Sequence, residues 1–236
     1  MMFPQVLRVP GLCAVCHQWG RERVCGACLE RFAAPVPRCR RCALEVPPGV
    51  ALCGACLTEP PPFERALAAV DYAFPWDDLI TRFKFHDGLD LADAFARRIV
   101  EAHAADPHAM PPPALLLPVP LSAERARERG YNQSWELARR IARQLRCPAD
   151  AQLLLRVKDT PHQLALPVTR REANVRGAFA VEPRRRAELR GRVVTVVDDV
   201  VTTGATLSEI ARVLLHAGAA QVQVWMLART PRPADR

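Results

Sequence analysis

Near its carboxyl end the chain reads Val193-Val194-Thr195-Val196-Val197-Asp198-Asp199-Val200-Val201-Thr202-Thr203-Gly204-Ala205-Thr206, followed by Leu207, Ile210, Ala211, Leu214 and Leu215 at helical spacing. A continuous β-branched run that ends in two carboxylates is a buried strand of the parallel type, and the spacing after it is that of one helix face. Gly218 ends that helix, and Val222 to Leu227 reads as the next strand. Strand, loop, helix and strand in this order specify an α/β chain built on a parallel sheet.

The loop is also the best candidate for a ligand site, because open parallel sheets bind ligands beyond the carboxyl ends of their strands. Amides at a helix start accept phosphate oxygens, and the Thr202, Thr203 and Thr206 hydroxyls add donors. Gly204 leaves room for close backbone approach without a Cβ in the way. Asp198 and Asp199 cannot grip a phosphate, so they ask for hydroxyl donors or a cation beside it. A ribose 5-phosphate fits both halves. The plainer alternative, two carboxylates solvating a strand end with Thr202 or Thr203 capping the helix, leaves the ordered series of features unexplained. Neither G-x-x-x-x-G-K-[ST] nor G-x-G-x-x-G occurs, which removes the nucleoside triphosphate and dinucleotide loops.

Eight of the nine cysteines lie between 13 and 56 as four C-x-x-C pairs, Cys13/Cys16, Cys25/Cys28, Cys39/Cys42 and Cys53/Cys56. Two residues between thiolates make a knuckle whose sulfurs converge on one ion, and two knuckles complete the tetrahedral S₄ set that Zn²⁺ prefers. Eight ligands give two structural zinc sites. A disulfide framework belongs to oxidising compartments and the chain shows no export signal; iron–sulfur ligation is the minor alternative. Sequential pairing closes shorter loops than interleaved pairing, and both remain open here. A segment of about 45 residues buries little core, so metal supplies its folding free energy. Arg38, Arg40 and Arg41 flank the third knuckle and Trp19 and Phe32 are its aromatic neighbours, a modest basis for nucleic-acid contact. Cys147 reads as a small buried side chain and His17 as surface.

Pro60 to Pro62 suit a linker, dividing the chain into 1–60, the cysteine-rich module, then 61–113, and 114–236, which carries the phosphate loop. In the middle region Leu67 to Phe74 reads as a strand, and Pro75 opens a helix with Trp76, Leu79, Ile80 and Phe83 on one face. Leu91, Ala92, Phe95 and Ile99 mark a second helix. Leu115 to Val119 reads as a buried strand, and Asn132 caps a helix bearing Leu137, Ile141 and Leu145.

The net charge of +8 points to anionic partners where arginines cluster, but lysine occurs only at 84 and 158, and the arginine, alanine and proline content is also what a G+C-rich genome produces. The amino terminus lacks the apolar run of a signal peptide, and the longest apolar stretch, Ala114 to Leu121, is far short of the roughly 20 residues that span a bilayer. A cytoplasmic protein without membrane insertion is expected.

The stretch 193–206 closely resembles the phosphoribosyl pyrophosphate (PRPP) signature of type I phosphoribosyltransferases. Pro118-Val119-Pro120-Leu121, Arg125, Arg129-Gly130-Tyr131-Asn132-Gln133, Gln163, Arg170, Asn174-Val175-Arg176-Gly177-Ala178-Phe179, Phe83-Lys84-Phe85 and the cysteine module together resemble the ComF family. The resemblance implies that Asp198 and Asp199 bind the ribose hydroxyls and that Thr202, Thr203, Gly204, Ala205 and Thr206 hold the 5-phosphate. It makes 1–60 a double zinc ribbon, 61–113 a hood and 114–236 the transferase core. It places a diphosphate loop after Pro120, where Arg125 and Arg129 are the favoured contacts and Arg127 an even choice, and it sets Arg156 and Lys158 in a lid. Mg²⁺ arrives with PRPP, and catalysis consists of neutralising the diphosphate and aligning an acceptor that the sequence does not identify. The hood offers Asp77, Asp78, Lys84 and His86 as polar candidates. ComF relatives are associated with natural competence, so DNA-uptake proteins and single-stranded DNA are expected partners. The alternatives are a catalytically silent PRPP-fold protein or a ribbon-centred adaptor for nucleic acid or protein.

Overall fold

A computed structural model describes residues 10–85, 88–158 and 175–231. His86, Gln163, Arg170 and Asn174, named above, lie outside them. The chain begins with a short antiparallel pair, β1 (Gly11–Leu12) and β2 (Trp19–Gly20), then α1 (Gly26–Phe32) and α2 (Gly54–Thr58). Next come β3 (Arg65–Asp71), α3 (Trp76–Phe85), a 3₁₀ turn over Gly88–Leu91, α4 (Ala92–Ala105) and β4 (Leu115–Pro118). The rest is α5 (Ala123–Arg129), α6 (Gln133–Leu145), β5 (Leu154–Arg156), β6 (Phe179–Val181), a 3₁₀ stretch Pro183–Leu189, β7 (Val193–Val201), α7 (Ala205–His216) and β8 (Gln221–Arg229).

The central sheet runs β3-β8-β7-β4 and every neighbour is parallel. Both of its faces are covered, and strand alternation divides the side chains between them. Val194, Val196, Val222, Val224 and Met226 meet Leu207, Ile210 and Leu214 of α7 on one face. Val197, Trp225 and Leu227 meet Ile80, Phe83, Phe95, Ile99, Leu137 and Ile141 on the other. The apolar positions expected on α3 and α4 are all buried. Asn132 caps α6 as expected, its side chain accepting from the Trp135 amide at 3.2 Å.

Strand limits depart from expectation where long-range pairing overrides local pattern. β3 starts two residues before Leu67 and ends at Asp71, because Ala73 and Trp76 amides turn back onto the Asp71 and Ala73 carbonyls at 3.0 and 2.8 Å. β7 does not stop at the two aspartates. It continues to Val201 because Val200 and Val201 pair with Ala228 and Arg229, whereas its other neighbour, β4, ends at Pro118 opposite Val197. The acidic pair therefore sits on a strand that overhangs one neighbour, and the overhang opens the crevice described next. No helix among the described residues is long and apolar enough to cross a membrane.

Candidate functional site

A cavity of about 290 Å³ opens over that overhang. Asp198, Asp199 and all five loop residues Thr202, Thr203, Gly204, Ala205 and Thr206 line it, together with Arg125, Arg129 and Arg156. Residues scattered over eighty positions of sequence thus face one space.

The loop is shaped by Gly204, whose φ of 83° lies in the left-handed region that a Cβ disfavours. A Cβ there would meet open space, so conformation, not crowding, asks for glycine. α7 starts immediately afterwards, with Thr202 and Thr203 exposed at its mouth. The plainer capping role has a counterpart: the Ala205 amide donates to Thr203 Oγ1 at 3.4 Å.

The two carboxylates have different surroundings. Asp198 Oδ1 accepts from Ser134 Oγ at 3.0 Å and from the Asp199 amide at 2.9 Å. Burial first, and the neighbouring Asp199 charge second, push the Asp198 carboxyl up to about 7, against the pull of Lys84. Asp199, 7% exposed, forms an ion pair with Lys84 Nζ at 3.1 Å. Lys84 comes from the end of α3, more than a hundred residues earlier in the chain, and lines the cavity beside Phe85. Adjacent carboxylates repel, and this ammonium offsets part of that repulsion.

The basic wall comes from α5. Ser122 caps it, accepting from the Arg125 amide at 3.3 Å, and Gly130 with φ 72° ends it. Arg129 lies over the Phe85 ring at 4.7 Å, a cation–π distance, and donates to Gln133 Oε1 at 3.0 Å. Arg127 turns to its own helix, with Nε donating to the Ala123 carbonyl at 3.3 Å, and does not line the cavity. Asp77 and Asp78 lie outside the lining; of the described polar candidates from 61–113 named earlier, Lys84 reaches it. Arg156 lines the cavity and lies over the Phe179 ring, and Lys158 is not part of the lining. Ser134, Tyr72 and Thr81 also line the cavity; a lone serine in the first turn of α6 carries no local signal that marks it.

The cysteines form two clusters, Cys13/Cys16/Cys25/Cys28 and Cys39/Cys42/Cys53/Cys56, each with four sulfurs within 4.8 Å of one another. Sequential pairing is thus the arrangement in space. The modules repeat one another: both carry Cys-Gly-Ala-Cys-Leu, at 25–29 and 53–57, and in each the first of these cysteines precedes a short helix. Its amide points at a sulfur of the first pair, Cys25 N to Cys13 Sγ at 3.4 Å and Cys53 N to Cys39 Sγ at 3.3 Å. Sulfur quartets that receive amide N–H groups fit a thiophilic divalent cation and could hold zinc. Among the described residues no other group of three or more His, Cys, Asp or Glu side chains has such geometry, so the acidic pair is not a ready-made cation cage.

A family model described as the phosphoribosyl transferase domain matches residues 132–236. Match and parallel sheet together define a phosphoribosyltransferase-type α/β protein behind two four-cysteine clusters. The chain is 36% identical over 233 residues to the DNA utilization protein YhgH of Escherichia coli strain K12, covering 95% of this chain and 100% of that one. It is 34% identical over 211 residues to competence protein F of Haemophilus influenzae, covering 89% and 91%. An adenine phosphoribosyltransferase structure from Leishmania donovani overlays with a TM-score of 0.39 at 14% identity, covering 71% of this chain and 84% of that one. The chain belongs to the ComF family.

Proposed function

We propose that this protein binds PRPP in the cavity over the β7 overhang and transfers its ribose 5-phosphate group to an acceptor. The convergence on one cavity of an acidic pair, a Thr-Thr-Gly-Ala-Thr loop at a helix start, and Arg125 and Arg129 carries this reading. In it the 5-phosphate rests on Thr202 to Thr206, the ribose diol faces Asp198 and Asp199, and the diphosphate meets the two arginines, whose planar forks suit paired phosphate oxygens. Residues 1–60 then act as a double zinc ribbon, 61–113 as the hood and 114–236 as the transferase core. With Asp199 already paired to Lys84, the residues fit Mg²⁺ carried in by the diphosphate better than a resident ion. When bound there it would neutralise leaving-group charge. The names of the relatives, a DNA utilization protein and a competence protein, support a role for this chain in DNA utilization and competence.

Calorimetric titration with PRPP, with and without Mg²⁺, tests the site before any acceptor is known. Saturable binding that disappears in the double variant Asp198→Asn, Asp199→Asn is expected; an unchanged isotherm in that variant would remove the diol from the carboxylates.

One observation favours a second reading, a PRPP-binding protein that serves DNA uptake without catalysis. Lys84 already occupies Asp199 from the hood side, where an acceptor would have to enter. Diphosphate release over a broad acceptor panel supports transfer. Its absence, combined with saturable PRPP binding by the wild type and transformation that the double aspartate variant fails to rescue, supports the silent PRPP-binding protein.

A further inference from the structure

Arg229, at the end of β8, is 4% exposed and has no carboxylate partner among the described ion pairs. Its guanidinium spends its donors on carbonyls. Nε donates to the Cys42 carbonyl at 2.9 Å, and Nη1 donates to Val201 at 2.8 Å, to Thr202, and to Thr230 at 3.2 Å. One side chain therefore spans from a metal-ligand residue of the second cysteine module to the first residue of the phosphate loop.

Both ends of this link are constrained. Cys42 lies in a tight turn closed by the Ala43 amide on the Cys39 carbonyl at 2.8 Å and the Cys39 amide on the Leu44 carbonyl at 2.7 Å. The sulfurs of Cys39 and Cys42 belong to the same quartet, so a bound cation would fix the turn that presents the Cys42 carbonyl. Ala43, fully buried with φ 58°, seats the turn in the core beneath the sheet end. At the other end, Val201 and Thr202 are the last residues before the Thr203-Gly204 bend. Charge complements geometry: Zn²⁺ held by four thiolates would carry two net negative charges and would give the buried guanidinium its counter-charge.

We propose that Arg229 is a positioning residue for the phosphate loop, and that the second four-cysteine site, by holding Arg229, sets the loop's affinity for a sugar phosphate. The inference rests on the phosphate reading of that loop given above.

The test compares wild type with Arg229→Gln, Arg229→Lys and Cys42→Ser/Cys53→Ser, with Arg41→Gln as control. Arg41 belongs to the same module, but its guanidinium donates to the Phe63 carbonyl, away from the loop. Two titrations are run on each, with ribose 5-phosphate and with inorganic pyrophosphate, alongside amide exchange over residues 201–207. Arg229→Gln and the cysteine pair are expected to weaken ribose 5-phosphate on the order of tenfold to hundredfold, as outer-shell supports do, and to speed loop exchange. Pyrophosphate binding should hold, since it faces α5. Arg229→Lys recovers part of the loss, and adding the cysteine pair to Arg229→Gln brings no further loss. Equal weakening of both ligands, or loop exchange that matches wild type, overturns the proposal. If wild type takes no ribose 5-phosphate, the phosphate reading falls, while the exchange data still decide whether Arg229 and the cysteine site govern the loop. Should Arg229→Gln not fold, Arg229→Lys carries the same comparison.

Discussion

The two cysteine modules share a sequence repeat, a turn and a short helix, yet they dock on different parts of the molecule. In the first turn His17 has φ 59° and is exposed; in the second, the corresponding Ala43 has φ 58° and is fully buried. The first module packs on α3: Cys13, Val24, Cys28 and Ala33 lie in one cluster with Trp76, Leu79 and Ile80, and Trp76 Nε1 donates to the Phe32 carbonyl at 2.6 Å. The second keeps a small core of Cys39, Val46, Cys53 and Cys56 and reaches the sheet end through Ala43, Arg38 to Asp71 at 2.8 Å, and Arg229. Local sequence builds the knuckle, and what each knuckle supports is decided by the surface it meets. α3, held by the first module at Trp76, presents Lys84 to the acidic pair at its other end. The second stands behind the loop that begins at Thr202, through Arg229. Each module thus braces one half of the cavity.

The largest effect that could break this comparison comes from removing one quartet at a time. Cys13→Ser/Cys28→Ser and Cys39→Ser/Cys53→Ser should each lower bound zinc from two ions to one per chain, given the two quartets. Because metal supplies most of the folding free energy of so small a module, each pair should also cost several degrees of Tm. The first pair should alter the fluorescence of Trp76, which is buried against that module, and the second should leave that signal in place. Equal fluorescence changes in both would mean that the modules do not divide their support as described.

How much of this was legible depended on whether the deciding contact was local. The C-x-x-C pairs, the strand-loop-helix order and the buried faces of α3 and α4 are patterns of neighbouring residues, and they read directly. The length of β7 was not readable, since Asp198 and Asp199 look like a strand end until Val200 and Val201 are seen to pair with Ala228 and Arg229. Arg229 was hidden for a different reason: in an arginine-rich chain a single arginine at the end of a strand has no distinguishing pattern, and its partners lie at Cys42, Val201 and Thr202. Lys84 was visible as one of two lysines, but its partner was not.

A smaller effect sharpens the half of the comparison that concerns Lys84. The folded chain holds a proton on Asp198 between its ordinary value of 3.8 and about 7, where the unfolded chain has released it. The stability this contributes is present in full below the ordinary value and is lost as pH rises through about 7. Lys84 opposes that shift, so Lys84→Gln should move the Asp198 carboxyl still higher and remove the ion-pair partner of Asp199. The side chains are 19% and 10% exposed, which keeps the expected cost to about 2–3 kcal/mol, below that of a fully buried pair. The Tm gap between wild type and Lys84→Gln should widen from about pH 5 to about pH 8, because repulsion between the aspartates grows as Asp198 ionises. A gap constant with pH would mean that Lys84 does not govern the acidic pair.

The smallest effect asks what attaches the first module to α3 and α4. Arg97 pairs with Glu22 at 2.7 Å, but the side chains are 32% and 43% exposed, and pairs so open to solvent contribute under about 1 kcal/mol. A second rim pair, Arg23 to Asp90, is as open at 36% and 37%, so the buried contacts, Cys13, Val24, Cys28 and Ala33 against Trp76 and Leu79, carry most of the attachment. Glu22→Ala should therefore leave zinc content and Trp76 fluorescence as in wild type and lower Tm by a few degrees at most. If Glu22→Ala instead reproduces the fluorescence change of the Cys13/Cys28 pair, the module is held by its charged rim, and its hold on α3 would weaken with added salt, as a packed core would not.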